Sequence, residues 1–332
     1  MVALLLVSFS LLSTVNTVPP ASRKSNLCAL QEVYDTISHE GHVCSLDEVR
    51  DRARSGSAFE QNQMGIAALL RSNSADAFAE ALDWFQQASR GEYAPAEVNL
   101  GLMLYHGWGA PQNYALAMHY FSLAAEKDNP AGNYNLGLLF LHGNGVRQDY
   151  AEARRYFERS AAKGDPTAEA ALGFLYDRGF GVDRDAQTAA SWYTKAAEAG
   201  HPEAQRNLAE MYFKGIGVTH DELSAFRWFH EAAMRGDLEA RINLGYMYLK
   251  GWGTLQDPES AYMWLRAASL VSSQDAKSEE GKSEDGKSQN LTKLLSALEH
   301  QLSRAELRRA RLHASELMPQ KNSGIVMAGM SQ

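Results

Sequence analysis

A pair of glycines separated by one residue returns every 36 positions through the middle of the chain: Gly107/Gly109, Gly143/Gly145, Gly179/Gly181, Gly215/Gly217 and Gly251/Gly253. Other columns keep the same step. Leu100, Leu136, Leu172, Leu208 and Leu244 form one, and Gly101, Gly137, Gly173, Ala209 and Gly245 form the next. Ala117, Ala153, Ala189, Ala225 and Ala261 form a third, followed by Tyr120, Tyr156, Trp192, Trp228 and Trp264. One step back, Met64, Gly65, Ala81 and Trp84 mark a further copy whose glycine loop is replaced by Arg71-Ser72-Asn73. Six units therefore run over 56–271. Units this short cannot bury their own apolar faces, so they must stack on one another.

Each unit reads as two helices, A and B. In the fourth, Asp165-Pro166 supplies an N-cap and a proline at the first helical position, and helix A buries Ala168, Leu172 and Tyr176. Gly179 ends it, because glycine readily takes the left-handed conformation of a helix C-terminus. Asp185 caps helix B, which carries Ala189, Trp192, Tyr193 and Ala196; the same cap recurs as Asn113, Asp149, Asp221 and Asp257. Gly173 and Ala189 let the two helices approach closely, and the aromatic pair fills space toward the neighbouring unit. The predicted fold is all-α, a right-handed superhelical α-solenoid of helix-loop-helix repeats.

The string ALGFLYDRGFGVDRDAQTAASWYTKAAEAG, Ala171 to Gly200, resembles the Sel-one-like repeat, a relative of the tetratricopeptide repeat with a longer loop between its helices. The resemblance covers six units. It implies a scaffold that binds a protein or peptide partner on its concave side, without catalysis and without a cofactor. Cysteine-rich members linked to β-lactam binding or hydrolysis carry paired cysteines in each repeat, and this chain has none between Gly56 and Val271.

By analogy with tetratricopeptide arrays, helix A lines the inside. One predicted groove column is Val98, Tyr134, Ala170, Arg206 and Ile242, and a second is Leu102, Leu138, Phe174, Glu210 and Tyr246. Asn99, Asn135, Asn207 and Asn243 stand just before the Leu column. An amide offers a donor and an acceptor to an extended peptide, or else bonds to an adjacent unit and sets the pitch. A column of His106, His142, Arg178, Lys214 and Lys250 is basic or can become so. It could draw acidic peptide groups, with Lys214 and Lys250 foremost, or offset the dipole at the end of each helix A. Trp108 and Trp252, inside the loops, are expected to pack on the next unit.

A formal net charge of −8 over 332 residues argues against a nucleic-acid partner. The apolar run from Val2 to Leu12 is too short to span a bilayer, which needs about 20 residues. It suits a secretory signal over residues 1–21, making the protein exported (periplasmic, secreted or in a secretory lumen), with a cytoplasmic location as the alternative. A helical N-terminal cap is expected over 22–55, a flexible low-complexity linker over 272–290, a helical C-terminal cap over 291–318 and a disordered tail over 319–332. Ser303 and Glu306 form a capping-box signature within that C-terminal cap.

The chain has two cysteines, Cys28 and Cys44. Export would favour a disulfide between them; the alternative is a metal site with His39 and His42. GxSxG, HExxH and CxxC are missing from the sequence in any suitable context. The competing function is a cell-envelope enzyme or carbohydrate binder acting on cell-wall fragments or β-lactams.

Overall fold

The computed structural model describes residues 46–72, 74–278 and 286–317. Among them every regular element is a helix. Helix α1 (Leu46–Arg54) precedes six A/B pairs: α2 (Ala58–Arg71) with α3 (Ala75–Arg90), α4 (Ala94–His106) with α5 (Tyr114–Glu126), α6 (Pro130–His142) with α7 (Tyr150–Ala161), α8 (Pro166–Arg178) with α9 (Ala186–Glu198), α10 (Pro202–Lys214) with α11 (Glu222–Met234), and α12 (Leu238–Lys250) with α13 (Pro258–Ser278). Helices α14 (Gly286–Gln301) and α15 (Arg304–Glu316) follow. The chain divides into two compact units at Ala168/Glu169, within α8. The consecutive helix pairs are those of an α-solenoid.

Caps set these boundaries where the sequence places them. The Asn113 side chain accepts the Leu116 N–H, and Asp149, Asp185 and Asp221 each accept two backbone N–H groups at the start of a B helix. Asp257 does the same for α13. Each such cap satisfies donors that a helix start otherwise leaves unpaired. At the other end of α4, Gly107 has φ 74 and donates its N–H to the Met103 carbonyl. That left-handed turn would strain any residue with a Cβ.

The Leu column is 0–2% exposed and the Ala column 0%. The glycine column lies against rings: a Cβ on Gly101 or Gly137 would sit 2.5 Å from Phe121 or Phe157, and one on Gly173 would sit 2.7 Å from Tyr193. The second aromatic of helix B therefore packs inside its own repeat, which corrects the expectation that both rings reach outward. The first does reach a neighbour, as Trp264 meets His230 of the preceding B helix edge-on at 5.7 Å. Burying one such ring contributes about 2–3 kcal/mol.

In the first unit, Val49 and Ala53 of α1 pack on Met64 beside Trp84. In the second, Leu295, Leu298 and Ala310 of the last two helices join Tyr262 and Leu265. Arg309 grips Glu259 through two bonds of 2.8 and 2.6 Å, and Arg241 donates to the Leu317 carbonyl at 2.9 Å. The Ser303/Glu306 capping box is formed in both directions. Helix α13 runs on to Ser278 and α14 begins at Gly286, so much of the expected linker is helical. Its Lys, Glu, Gln and Ser residues are tolerated in a helix, and α13 extends one already nucleated. The expected signal over 1–21, the Cys28/Cys44 pair with His39 and His42, and the tail over 319–332 lie outside the described residues. No described helix is long and apolar enough to cross a membrane.

Candidate partner-binding site

The A-helix columns singled out in the sequence differ between the two units. In the first unit the groove columns are closed. Val98 is 0% exposed, Leu102 and Tyr134 2%, and Leu138 4%. Asn99 and Asn135 are also buried. The Asn99 amide donates to Asn62 Oδ1 of the preceding repeat at 2.9 Å, whereas Asn135 donates to the Ala131 carbonyl of its own helix at 2.8 Å. Glu97, also buried, pairs with Lys127.

In the second unit the same columns are more polar and less fully buried. Ala170 is buried and Phe174 half-buried, with the Arg178 guanidinium 5.8 Å over the Phe174 ring. Arg206 sits among three carboxylates: its Nε lies 3.2 Å from Asp237, and its terminal nitrogens lie 3.5 Å from Glu203 and 3.6 Å from Glu210. Burial works against the Arg206 charge, but Asp237 and Glu203 outweigh it and hold the guanidinium protonated. Lys214 reaches Glu210 at 2.8 Å. Asn207 hydrogen-bonds Tyr193, whose phenol is nevertheless pushed well up, chiefly by burial. Tyr246 is 38% exposed, Lys250 is exposed and Asn243 half-buried, while Ile242 packs against the cluster formed with the C-terminal helices. Arg206, Asn207, Glu210 and Lys214 share one face of α10, and Ile242, Asn243, Tyr246 and Lys250 share the matching face of α12.

The basic column is divided as well. Burial lowers His106 to about 4 and also lowers His142, so both imidazoles are neutral near pH 7. Only the Arg178, Lys214 and Lys250 copies carry charge there.

The loop tryptophans pack backwards rather than onto the next unit. Trp108 stacks between His106, at 4.3 Å, and Phe78 of the preceding B helix, at 5.8 Å. Trp252 lies 5.1 Å from Phe213 of the preceding A helix. The second loop glycine explains the direction. Gly109 and Gly253 abut backbone at the starts of α3 and α11, where a Cβ would collide.

The sequence reading named Glu210 but missed Asp237 and Glu203, the other two acids that surround Arg206. Asp237 is the N-cap of α12 as well as the partner of Arg206, and a cap residue one repeat ahead of a basic residue was the available signal. Among the described residues no group of three or more His, Cys, Asp or Glu side chains is placed to hold a metal ion.

The Sel1 repeat pattern matches six successive stretches, 61–93, 94–129, 130–165, 166–201, 202–237 and 238–270. Comparison with curated proteins gives no match. Among solved structures, a Sel1 repeat protein from Oxalobacter formigenes is similar at 28% identity and a TM-score of 0.61, over 68% of this chain and 100% of that one. A protective antigen present in uropathogenic Escherichia coli strains, displaying an SLR fold, is similar at 27% identity and a TM-score of 0.59, over 83% of this chain. This chain spans 65% of that antigen, just under two thirds of its length. With six contiguous matches over 61–270 and helix pairs in the same register, the chain belongs to the Sel1 repeat family.

Proposed function

We propose that this protein is a non-catalytic scaffold that holds a protein or peptide partner on the inner face of its A helices. The supporting observation is the open register of the second unit, where Glu210 and Lys214 of one repeat align with Tyr246 and Lys250 of the next. A half-exposed aromatic ring among charges of both signs suits a polypeptide, since rings anchor and charges select. Asn243, half-buried beside this face, is positioned to bond the backbone of an extended segment. The apolar run Val2–Leu12 supports an exported location.

A photo-crosslinker at Tyr246 in cells, followed by mass spectrometry, should recover one dominant polypeptide. Lys214→Glu, Lys250→Glu and Tyr246→Ala combined should reduce its capture at least ~10-fold, the equivalent of about 1.4 kcal/mol. The helical circular dichroism should stay as it is. Unchanged capture by this triple variant would remove the inner face as the binding surface.

A further inference from the structure

We propose that the loop edge of repeats five and six is a second docking surface, which takes a short peptide presenting large apolar side chains beside an acidic residue. It goes beyond the inner face, since its residues come from the A/B loops 215–221 and 251–257 and from the start of α11, all within the second unit. Four of the eight large apolar side chains exposed among the described residues gather there: Ile216 at 39%, Leu223 at 48%, Trp252 at 36% and Leu255 at 86%. Local contacts join them. Gly253 abuts the backbone of Glu222 and Leu223, and Trp252 lies 5.1 Å from Phe213, three residues before Ile216.

The other repeats show that the fold does not require these side chains. Where Leu255 stands, the preceding loops carry Pro111, Arg147, Asp183 and Thr219. Where Leu223 stands, the other B helices carry Ala79, Ala115, Ala151, Gln187 and Glu259. A single exposed leucine needs no explanation, but a cluster at positions that are otherwise small or polar marks an interaction site. Trp252 adds to it. Its counterpart Trp108 stacks between His106 and Phe78, whereas the equivalent positions around Trp252 are Lys250 and Glu222. Its ring contact among the described residues is the tilted one with Phe213.

Charge selects the occupant. The acids of this edge are engaged: Asp221 and Asp257 accept N–H groups at the helix starts they cap, Glu222 accepts the Gly253 N–H, and Glu259 is held by Arg309. His220 faces Glu222 at 3.9 Å, and Lys214 pairs with Glu210. Lys250 has no ion pair among the described residues and stands two residues before Trp252. The unpaired charge beside the apolar cluster is thus a cation, whose complement is a carboxylate. Four apolar side chains fall far short of the roughly 20–30 residues that each partner gives to a stable dimer, and they match the few anchors by which a peptide docks. An anionic membrane would face all four acids together with Lys250, whereas a single peptide carboxylate meets Lys250 alone.

The test pans a phage-displayed library of random dodecapeptides on the full chain. Enriched peptides should join Asp or Glu to at least two large apolar residues, and the most enriched, made as a labelled synthetic peptide, reads affinity by fluorescence anisotropy. Leu223→Gln with Leu255→Thr installs the residues that the preceding copies carry as Gln187 and Thr219. This double variant should weaken the peptide at least ~10-fold, as should Lys250→Glu alone, with the urea midpoint unchanged. Tyr246→Ala should leave the affinity as it is, which separates this surface from the inner face. A peptide weakened by Tyr246→Ala and not by the double variant would lie on the inner face and overturn the proposal. Enrichment without acids, or no enrichment, would overturn it too. Analytical sedimentation of the full chain and flotation with phosphatidylserine vesicles read the other occupants. Self-association or vesicle binding that the double variant abolishes would assign the cluster to a second copy or to lipid, against the proposal.

Discussion

Gly137→Ala tests whether the close seat of a ring on a helix backbone holds a repeat together. A Cβ at Gly137 would stand 2.5 Å from Phe157 Cε1 and 2.6 Å from its Cδ1, closer than carbon atoms approach without displacement. The Phe157 ring is 0% exposed and also faces Tyr134 at 5.6 Å, so it cannot swing aside alone. Overpacking of this kind costs about 1–3 kcal/mol. Alanine recovers roughly 0.5–1 kcal/mol of helix propensity over glycine. The net expectation is a loss of about 1–2 kcal/mol. In a Phe157→Ala background, itself costing about 3–5 kcal/mol, the same methyl enters empty space. It should then stabilise by about 1 kcal/mol, so the effect of one substitution changes sign. The double-mutant cycle should show a coupling near ~2–3 kcal/mol, at the top of the range for residues in contact. Stacked repeats can unfold piecewise, so the readout is amide exchange in α6 and α7 alongside urea denaturation followed by circular dichroism. A neutral or stabilising Gly137→Ala in the parent protein would refute the reasoning. It would show that the ring moves aside at little cost; in the fifth repeat Ala209 stands in the glycine column and shares a buried cluster with Phe229.

Three further outcomes follow from the same contacts. Gly253→Ala combines a left-handed φ of 66 with a backbone collision at Glu222 and should cost at least ~3 kcal/mol, whereas Gly164→Ala, at φ 77 with open space around it, should cost only about 1–2 kcal/mol; urea midpoints distinguish them. His201 is 6% exposed, accepts the Ala204 N–H, and is held at about 4 against 6.5 by burial first and Arg206 second. The unfolded chain therefore binds more protons between these values, so stability is full above pH 6.5 and falls by about 3 kcal/mol as pH drops to 4; His201→Asn, which keeps an N-cap, should flatten that slope in pH-dependent denaturation. Arg206→Met should cost ~1–3 kcal/mol in a thermal or urea melt, because Asp237 and Glu203 lose their shared cation, and the guanidinium's 20% exposure keeps the figure below that of a fully dry pair.

The periodic columns carried the fold because each demands a chemistry repeated at least five times. Asn113, Asp149, Asp185, Asp221 and Asp257 mark helix starts, and Leu and Ala at fixed spacing mark the buried faces. The candidate site was less legible for the same reason. A column states which residues are equivalent, not which are equally exposed. Val98 and Arg206 occupy one position, yet the first is sealed and the second stands among three acids. His106 resembles Lys250 in position only, since desolvation removes its charge, and desolvation depends on neighbours distant in the chain. The backward lean of the Trp108 loop was hidden because a 36-residue period is symmetric under reversal of neighbour. The contact of Gly109 with the start of α3, and its counterparts in later repeats, break that symmetry.

That backward lean gives the array a polarity. Loops in both units seat on the opening turn of the B helix one repeat earlier, as Gly145 does on Tyr114, Gly217 on Ala186, and Gly253 on Glu222. Among the described residues no later glycine loop seats on the final B helix, and Arg309 clasps Glu259 in its opening turn instead. Whole copies could therefore be grafted into the interior with their joints intact, while anything appended after α13 must first displace the clasp. Growth of this scaffold is open in the middle and locked at one end.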